Sequence, residues 1–184
     1  LSVALVLAPC RTSAAADKAA INQSLAQGAS YLRSIHARVA EGRASLCAYA
    51  LLKAGVNASD PAIATVIADV LGRCEGEHYV PRRGDEIYAA GIEAMLLSDS
   101  DGQKHLPALQ KIAQYLIEEQ REDGSYSYRP PENAGDISLT QYAALGLWAC
   151  NRAGVEIPLE VWDKLAMWHI KGQMPDGGFQ YTPG

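Results

Sequence analysis

Apolar residues follow a helical period in four segments of the chain and occupy nearly every position in three others. The four amphipathic segments are 18–36, 60–73, 105–120 and 158–172. The three apolar segments are 44–54, 87–97 and 137–150. A stripe of apolar residues with a 3.6-residue period predicts a helix with one exposed side, whereas a helix that is apolar all round must be buried. Their Ala and Leu content favours helices over strands. The pattern predicts seven helices in which exposed and buried ones alternate.

Glycine and proline mark several of the predicted helix ends. Gly55 and Gly154 each lie in an Ala-Gly-Val tripeptide after a buried segment, as expected for the glycine that ends a helix. Pro61 and Pro158 come where the next helix should begin and fit the first helical position. The matched tripeptides, with Tyr49 at the position of Trp148, indicate a common repeat unit.

A second repeated element follows two of the amphipathic segments. Residues 120–128 and 173–181 share Gln, Asp, Gly and Tyr at positions 53 residues apart, and a fixed period of this length is typical of repeat architectures. We expect the glutamine to bond carbonyl groups at the helix end, the glycine to allow a left-handed turn, and the next aromatic residue to fill the gap between hairpins. The residues concerned are Gln120, Gly124, Tyr126, Gln173, Gly177 and Phe179.

The alternation predicts an all-α fold with an inner and an outer layer of antiparallel helices. Closing the buried helices into an inner ring gives an incomplete α/α toroid, and leaving the same hairpins open gives a superhelix. Both arrangements bury the apolar segments. The sequence favours the toroid, which we expect to be formed by residues 17–184.

The repeat resembles a known family. Tyr115-Leu116-x3-Gln120-x3-Gly124-x-Tyr126 and Trp168-x4-Gln173-x3-Gly177-x-Phe179 resemble the QW-type repeat of squalene–hopene cyclases and protein prenyltransferases, and residues 27–36 resemble a degenerate copy. The segment 135–148 is similar to exported bacterial members of the same superfamily. The resemblance extends from about residue 19 to the end. It implies a toroid with a central cavity, and because such toroids contain roughly five to seven hairpins, we expect the sequence to be a fragment that lacks its start and C-terminal half.

Candidate site residues follow from this architecture. The N-terminal ends of the inner helices would share one rim, where helix dipoles are positive; the residues there are Asp85, Glu86, Asp136, Thr140 and Gln141. Asp85 and Asp136 fit simple N-caps equally well. Aromatic residues of the inner helices would line an apolar cavity and stabilise a carbocation through their π-faces, or else fill the core; these are Tyr49, Tyr88, Tyr142 and Trp148.

Recognisable catalytic motifs are missing from the sequence. The Asp-x-Asp-Asp acid of class II terpene cyclases is absent, and Asp99-Ser100-Asp101 is expected to form a turn after a helix. The possible zinc ligands are Cys47, His36, His78, His105 and His169. No pair of them has the spacing of a ligand motif, so we expect no metal and no cofactor. The sequence identifies no catalytic residue.

The first sixteen residues and the composition bear on location. Residues 1–8 are apolar and Ala14-x-Ala16 follows, as in a secretory signal with residues 1–16 removed on export; a buried first helix and a lipoprotein modified at Cys10 are the alternatives. The run is too short to span a membrane, so the mature chain should lack a transmembrane segment. A net charge of −5 and a pI of about 5.3 argue against nucleic-acid binding.

These observations support two expectations for function. The first is an exported binding or scaffold domain with an apolar central cavity, whose partner is an apolar small molecule or a protein. The alternative is an isoprenoid cyclase or prenyltransferase-type enzyme whose catalytic residues lie outside this sequence.

Four cysteines without a Cys-x-x-Cys pair predict no disulfide framework.

Overall fold

The computed structural model describes residues 17–38, 41–84, 86–128 and 134–180 of the chain. These residues form a short 3₁₀ helix, His36–Arg38, and seven α-helices: α1 (Lys18–Ile35), α2 (Glu41–Lys53), α3 (Pro61–Gly72), α4 (Glu86–Asp101), α5 (Leu106–Glu118), α6 (Ile137–Arg152) and α7 (Leu159–Gly172). All seven predicted helices are confirmed, and the described part of the chain contains no strand. The predicted signal segment, 1–16, lies outside the described residues.

The predicted helix ends are confirmed at the glycines. Gly55 and Gly154 have φ angles of 87° and 103°, in the left-handed region that only glycine enters without strain. The amide of the residue after each glycine donates to a carbonyl five residues earlier, at 3.1 and 3.0 Å, and so satisfies a free carbonyl of the helix end. Pro61 occupies the first turn of α3 as predicted. Pro158 instead occupies the N-cap, because α7 begins one residue later.

The three inner helices α2, α4 and α6 lie side by side and run parallel. Burial on most sides, expected for all three, is wrong for α2, where Leu46 is 45% exposed, because α2 lies at the edge of the row. Contacts between consecutive members join residues 48 to 51 positions apart; these are Ser45 with Glu93, Tyr49 with Asp99, Tyr88 with Ser138, and Ser98 with Ala149. The contacts advance along both helices of a pair together, which is possible only when the two helices point the same way. Helix α4 therefore lies between α2 and α6.

The amphipathic helices pack against this inner row. Helix α3 contacts α2 and α4, and α5 contacts α4 and α6. Near the end of α6 the Cys150 thiol lies 3.5 Å from the carbonyl oxygen of Leu109 near the start of α5, whereas the earlier Gly146 faces Leu116 near the end of α5. The contacts run in opposite directions along the two helices, so α5 and α6 are antiparallel, as the hairpin prediction requires.

Two glycines allow the closest approach between inner helices. A Cβ atom added to Gly146 of α6 would lie 2.7 Å from the Cα of Gly91 in α4. A Cβ atom added to Gly91 would lie 2.4 Å from the carbonyl oxygen of Tyr142. Backbone atoms of the two helices thus touch directly, and no side chain larger than hydrogen fits at this crossing.

We expect Gly146→Ala to lower the free energy of unfolding by up to about 2 kcal/mol, because the overpacking penalty of about 1–3 kcal/mol is offset by a gain in helix propensity of about 1 kcal/mol. The matched control is Gly28→Ala in α1, where an added Cβ meets nothing within 4 Å. There the propensity gain acts alone and should stabilise by about 0.5–1 kcal/mol. Urea denaturation followed by circular dichroism measures both, and a shift of the same sign in the two variants would contradict this packing.

Glu93 of α4 is a carboxylate in the core and is 0% exposed. It accepts hydrogen bonds from the Ser45 hydroxyl at 2.9 Å, the Arg73 guanidinium at 2.5 Å and the Tyr79 hydroxyl at 2.6 Å. The pKa of Tyr79 is raised well above its usual value, mainly because the residue is buried and also because the Glu93 carboxylate is close. Glu93 therefore ties α2 and the loop after α3 to the central helix.

Within the described residues, no helix combines the length and the hydrophobicity needed to cross a membrane. The longest helix, α1, is only weakly apolar, and most of its residues are exposed. This agrees with the prediction that the part of the chain after residue 16 lacks a transmembrane segment.

Candidate functional site

The inner helices carry four aromatic residues and one acid that are not fully buried. We call this set, which consists of Tyr49, Tyr88, Asp99, Tyr142 and Trp148, the open face. The three tyrosines are partly buried and Trp148 is 52% exposed. Tyr49 and Tyr88 pack against the hydrophobic core with part of their surface, so the four aromatic residues lie between the two alternatives considered from sequence, cavity lining and core filling.

Asp99 joins all three inner helices at one end of the open face. Its carboxylate accepts hydrogen bonds from the Tyr49 hydroxyl at 3.3 Å, from the Lys53 ammonium at 3.0 Å and from the Arg152 guanidinium. Burial alone would raise the pKa of Asp99, but the hydrogen bonds and charges of Arg152 and Lys53 outweigh it and lower that pKa. The guanidinium of Arg152 also lies 4.6 Å from the ring centre of Trp148, so the exposed indole is held by a cation–π contact.

The turn predicted at Asp99-Ser100-Asp101 is wrong, because α4 continues through Asp101. Two cations from the neighbouring helices neutralise Asp99, so the acidic residue is stable within the last helical turns. The chain turns only afterwards, where the Asp101 carboxylate accepts from the amide of Lys104 at 3.1 Å.

A second aromatic cluster lies at the N-terminal ends of α4 and α6. The ring of Tyr88 lies 5.0 Å from that of Tyr142 and 6.4 Å from that of Tyr128, measured between centroids. The hydroxyl of Tyr128 donates to that of Tyr88 at 3.3 Å, and the Tyr88 and Ser138 hydroxyls lie 2.6 Å apart. Ser138 in turn donates to Asp136 at 2.5 Å. A chain of hydroxyl groups thus leads from the surface to a buried carboxylate.

The predicted rim residues divide into capping and exposed groups. Asp136 is 3% exposed and caps α6, since its carboxylate accepts from the amide of Leu139 at 2.9 Å. Thr140 is also buried; its hydroxyl donates to the Asp136 carbonyl at 2.7 Å and accepts from the Tyr126 amide at 3.0 Å. Both residues hold the loop to the helix. Gln141 is exposed, and Asp85 lies outside the described residues.

Glu86, the first residue of α4, lines a cleft of about 190 Å³ beside this aromatic cluster. The other lining residues are Gly84, Ile87, Tyr115, Glu119, Ser127, Tyr128 and Leu139. Tyr128 belongs to both the cleft and the aromatic cluster, so a ligand in the cleft would contact a residue that is hydrogen-bonded to Tyr88 of the open face.

The thiols of the described residues are poorly suited to nucleophilic chemistry. Burial raises the pKa of Cys150 to about 12, that of Cys74 to about 11, and that of Cys47 above its usual value. A nucleophilic cysteine needs the opposite shift. Among the described residues no three His, Cys, Asp or Glu side chains are grouped as metal ligands would be. The histidines named from the sequence lie apart: His36 at the end of α1, His78 in an exposed loop, His105 at the start of α5 and His169 on α7.

The two repeated turns, which we call the first turn (120–126) and the second turn (173–179), have the same internal bonding. Each glutamine amide donates to the carbonyl of the glycine four residues later, at 3.4 and 3.0 Å. Each aspartate accepts from the amide two residues later, at 3.0 and 2.9 Å. Gly124 and Gly177 have φ angles of 91° and 84°, as the sequence predicts.

The aromatic residues of the two turns differ in their surroundings. Tyr126 is 0% exposed and its hydroxyl donates to the Leu116 carbonyl at 2.7 Å, so it fills a gap as predicted. Phe179 is 47% exposed and meets the ring of His169 at 6.1 Å. For Phe179 the expected role between two hairpins stays a prediction, because the described residues contain no hairpin after it.

Sequence reasoning missed the residues that connect the open face. None of these connecting residues stood out as a site residue in the sequence. They are Asp99, Arg152, Tyr128 and Ser138. The usable signal was the spacing of about 50 residues between neighbouring inner helices, which places Tyr49 beside Asp99 and Tyr88 beside Ser138.

Comparison of the chain with protein-family models, with curated proteins and with solved structures finds no match. Its function is therefore inferred from the open face, the cleft and the two turns.

Proposed function

We propose that this protein is a non-catalytic, helical-repeat binding domain whose open face binds an apolar small molecule. We further propose that its hairpins belong to an α/α toroid of the prenyltransferase and squalene-cyclase type, in which this face would line the central cavity. The parallel inner helices and the two identically bonded turns support that arrangement. The signal-like residues 1–16 support export of the protein.

The observation that carries the proposal is the half-exposed indole of Trp148. A half-exposed indole offers apolar area that a ligand can cover, and covering it favours binding. Here the ring is also held in place by Arg152, which is itself bonded to Asp99. A rigid aromatic surface loses little conformational freedom when it binds a ligand.

The charged groups of the open face favour binding over acid catalysis. A catalytic acid must hold a proton near neutral pH, and this requires a raised pKa. The pKa of Asp99 is lowered instead by Lys53 and Arg152. Asp99 therefore stays ionised and positions its neighbours, in keeping with a binding surface.

The test is isothermal titration of the protein with farnesol, a linear isoprenoid alcohol, in comparison with glycerol as a polar ligand. We expect saturable binding of farnesol alone. Trp148→Ala should weaken it at least tenfold, because about 1.5–3 kcal/mol accompanies burial of a large apolar side chain.

The matched control is Leu159→Ala, which removes an apolar side chain that is 73% exposed on α7, away from the open face. It should leave the affinity for farnesol unchanged. Equal weakening by the two substitutions, or no binding of farnesol to the unsubstituted protein, would rule out the open face as the apolar binding site.

An isoprenoid-processing enzyme is the second candidate. The neighbouring rings of Tyr88 and Tyr142, which meet edge to face, favour it because an aromatic face can stabilise a carbocation. This candidate needs an acid or a metal site supplied from outside the described residues. Incubation with squalene or with farnesyl diphosphate, followed by mass spectrometry, separates the two: a cyclised or transferred product establishes the enzyme and excludes the non-catalytic proposal.

A further inference from the structure

We propose that the ligand of the open face is a linear amphiphile with a carboxylate head group, and that this head group binds to Lys53 and Arg152. The inference rests on the proposed function, since it specifies which class of apolar molecule the open face binds. Two observations carry it: an excess of positive charge at one end of the face, and an apolar stripe that begins beside that charge.

Two cations lie where the inner helices end. Lys53 is the last residue of α2 and Arg152 is the last residue of α6. Both form ion pairs with the carboxylate of Asp99 in α4. We call these three residues the charged end. Its two positive charges and one negative charge leave an excess of one positive charge, in a chain whose net charge is −5.

Both cations keep hydrogen-bond donors for a ligand. The side chains of Lys53 and Arg152 are 59% and 44% exposed, whereas that of Asp99 is 15% exposed. An ammonium has three N–H donors and a guanidinium has five, which is more than one carboxylate can accept. The hydrogen bond from Lys53 to Asp99, and the charge of that carboxylate, raise the pKa of Lys53. The ammonium therefore stays charged wherever a second carboxylate is ionised.

An apolar stripe leads away from the charged end along α6. Trp148 and Leu145 lie four and seven residues before Arg152, and this spacing places all three on one side of the helix. The ring centre of Trp148 lies 4.6 Å from the Arg152 guanidinium, and Leu145 is partly buried. Tyr142 lies ten residues before Arg152, so the stripe is about 15 Å long at about 1.5 Å per residue. That length suits a medium-chain fatty acid.

The charged end also specifies the head group. An excess of one positive charge matches a monoanion, and a planar carboxylate can pair with a guanidinium through two parallel hydrogen bonds. A neutral head group would leave the excess charge uncompensated, and a cationic head group would be repelled by it. With the carboxylate on Lys53 and Arg152, the indole of Trp148 would contact the first carbon atoms of the tail.

Isothermal titration with three ligands of equal chain length tests the head group. The ligands are decanoate, 1-decanol and decylammonium, each at neutral pH and low ionic strength. We expect decanoate to bind about tenfold more tightly than 1-decanol, the effect of hydrogen bonds to a charged group, and decylammonium to bind most weakly. The preference for decanoate should shrink in high salt, because salt screens exposed charges.

A matched pair of variants locates the effect at the charged end. Lys53→Gln should lower the ratio of the affinities for decanoate and 1-decanol severalfold, because it removes one of the two cations but keeps Arg152 beside Trp148. Lys171→Gln is the control, since it removes an exposed lysine from α7 and changes the net charge by the same amount. It should keep the ratio of the unsubstituted protein.

The outcomes separate this inference from the proposed function. Decanoate binding no tighter than that of 1-decanol, or an equal change of the ratio in the Lys53→Gln and Lys171→Gln proteins, would overturn the carboxylate head group and leave the open face as an apolar binding surface. Farnesol is titrated alongside. If farnesol, 1-decanol and decanoate all fail to bind, the proposed function fails and this inference fails with it.

Discussion

Glu93→Gln should lower the free energy of unfolding by about 3 kcal/mol, the size of loss expected when one partner of a buried ion pair is removed. The substitution keeps the shape of the side chain, but it removes the charge that faces Arg73 at 2.5 Å, and the single amide oxygen cannot accept from both Ser45 and Tyr79 as the two carboxylate oxygens do. Arg73, whose side chain is only 16% exposed, would keep only the more exposed Asp69, at 3.2 Å, as an anionic partner. For a chain of this length the melting temperature should fall by roughly 6–12 °C.

Two further variants separate this effect from a general loss of charge. Arg73→Gln should destabilise to a similar extent, and the double variant should lose far less than the sum of the two, because each substitution breaks the same interaction. The exposed pair of Glu160 and Lys164 is the control; Glu160→Gln should leave the melting temperature unchanged. Additive losses in the double variant would show that Glu93 and Arg73 do not stabilise the fold as a pair.

Gly124→Ala should destabilise the protein by about 2–5 kcal/mol. A left-handed conformation costs an L-residue about 1–2 kcal/mol, and overpacking adds about 1–3 kcal/mol. The second contribution arises because the new methyl group would lie 2.2 Å from the carbonyl oxygen of Lys164. Helix α7 must move away, so the Trp168 fluorescence should also shift towards that of a solvent-exposed indole.

Gly55→Ala is the comparison that isolates the packing effect. Gly55 has nearly the same φ angle, 87° against 91°, but an added Cβ there meets nothing within 4 Å. It should show only the backbone strain of about 1–2 kcal/mol. The unfolding midpoints in urea give both values. If the two alanine variants were equally stable, the close contact between the first turn and α7 would not exist in solution.

The helices of this protein could be predicted from sequence because each has a strong local signal. The stripe of α5 and the uniformly apolar runs of α4 and α6 allow few alternatives, and Gly55 and Gly154 end two helices where the chain needs a positive φ. The internal geometry of the turns at Gly124 and Gly177 followed from the same kind of local evidence.

The open face was only partly predictable, because its residues are polar partners brought together from different helices. In the sequence Asp99 resembles a turn residue, because the two cations that pair with it, Lys53 and Arg152, belong to other helices. Phe179 was expected to be buried by analogy with Tyr126, although burial depends on a neighbour rather than on the residue itself. Local patterns define helices and turns. Which side chains are exposed and which charges are paired depends on packing and on charged residues from distant parts of the chain.

The parallel inner helices have a consequence for how the chain folds. Contacts between consecutive inner helices close loops of 48 to 51 residues, so each step of assembly carries nearly the same entropic cost. Adding one more hairpin would add another loop of this size without lengthening any existing loop. The free-energy cost of each assembly step should therefore depend on the contacts between neighbouring helices and not on the total length of the chain. A terminal hairpin can then detach while the helices packed around α4 remain folded.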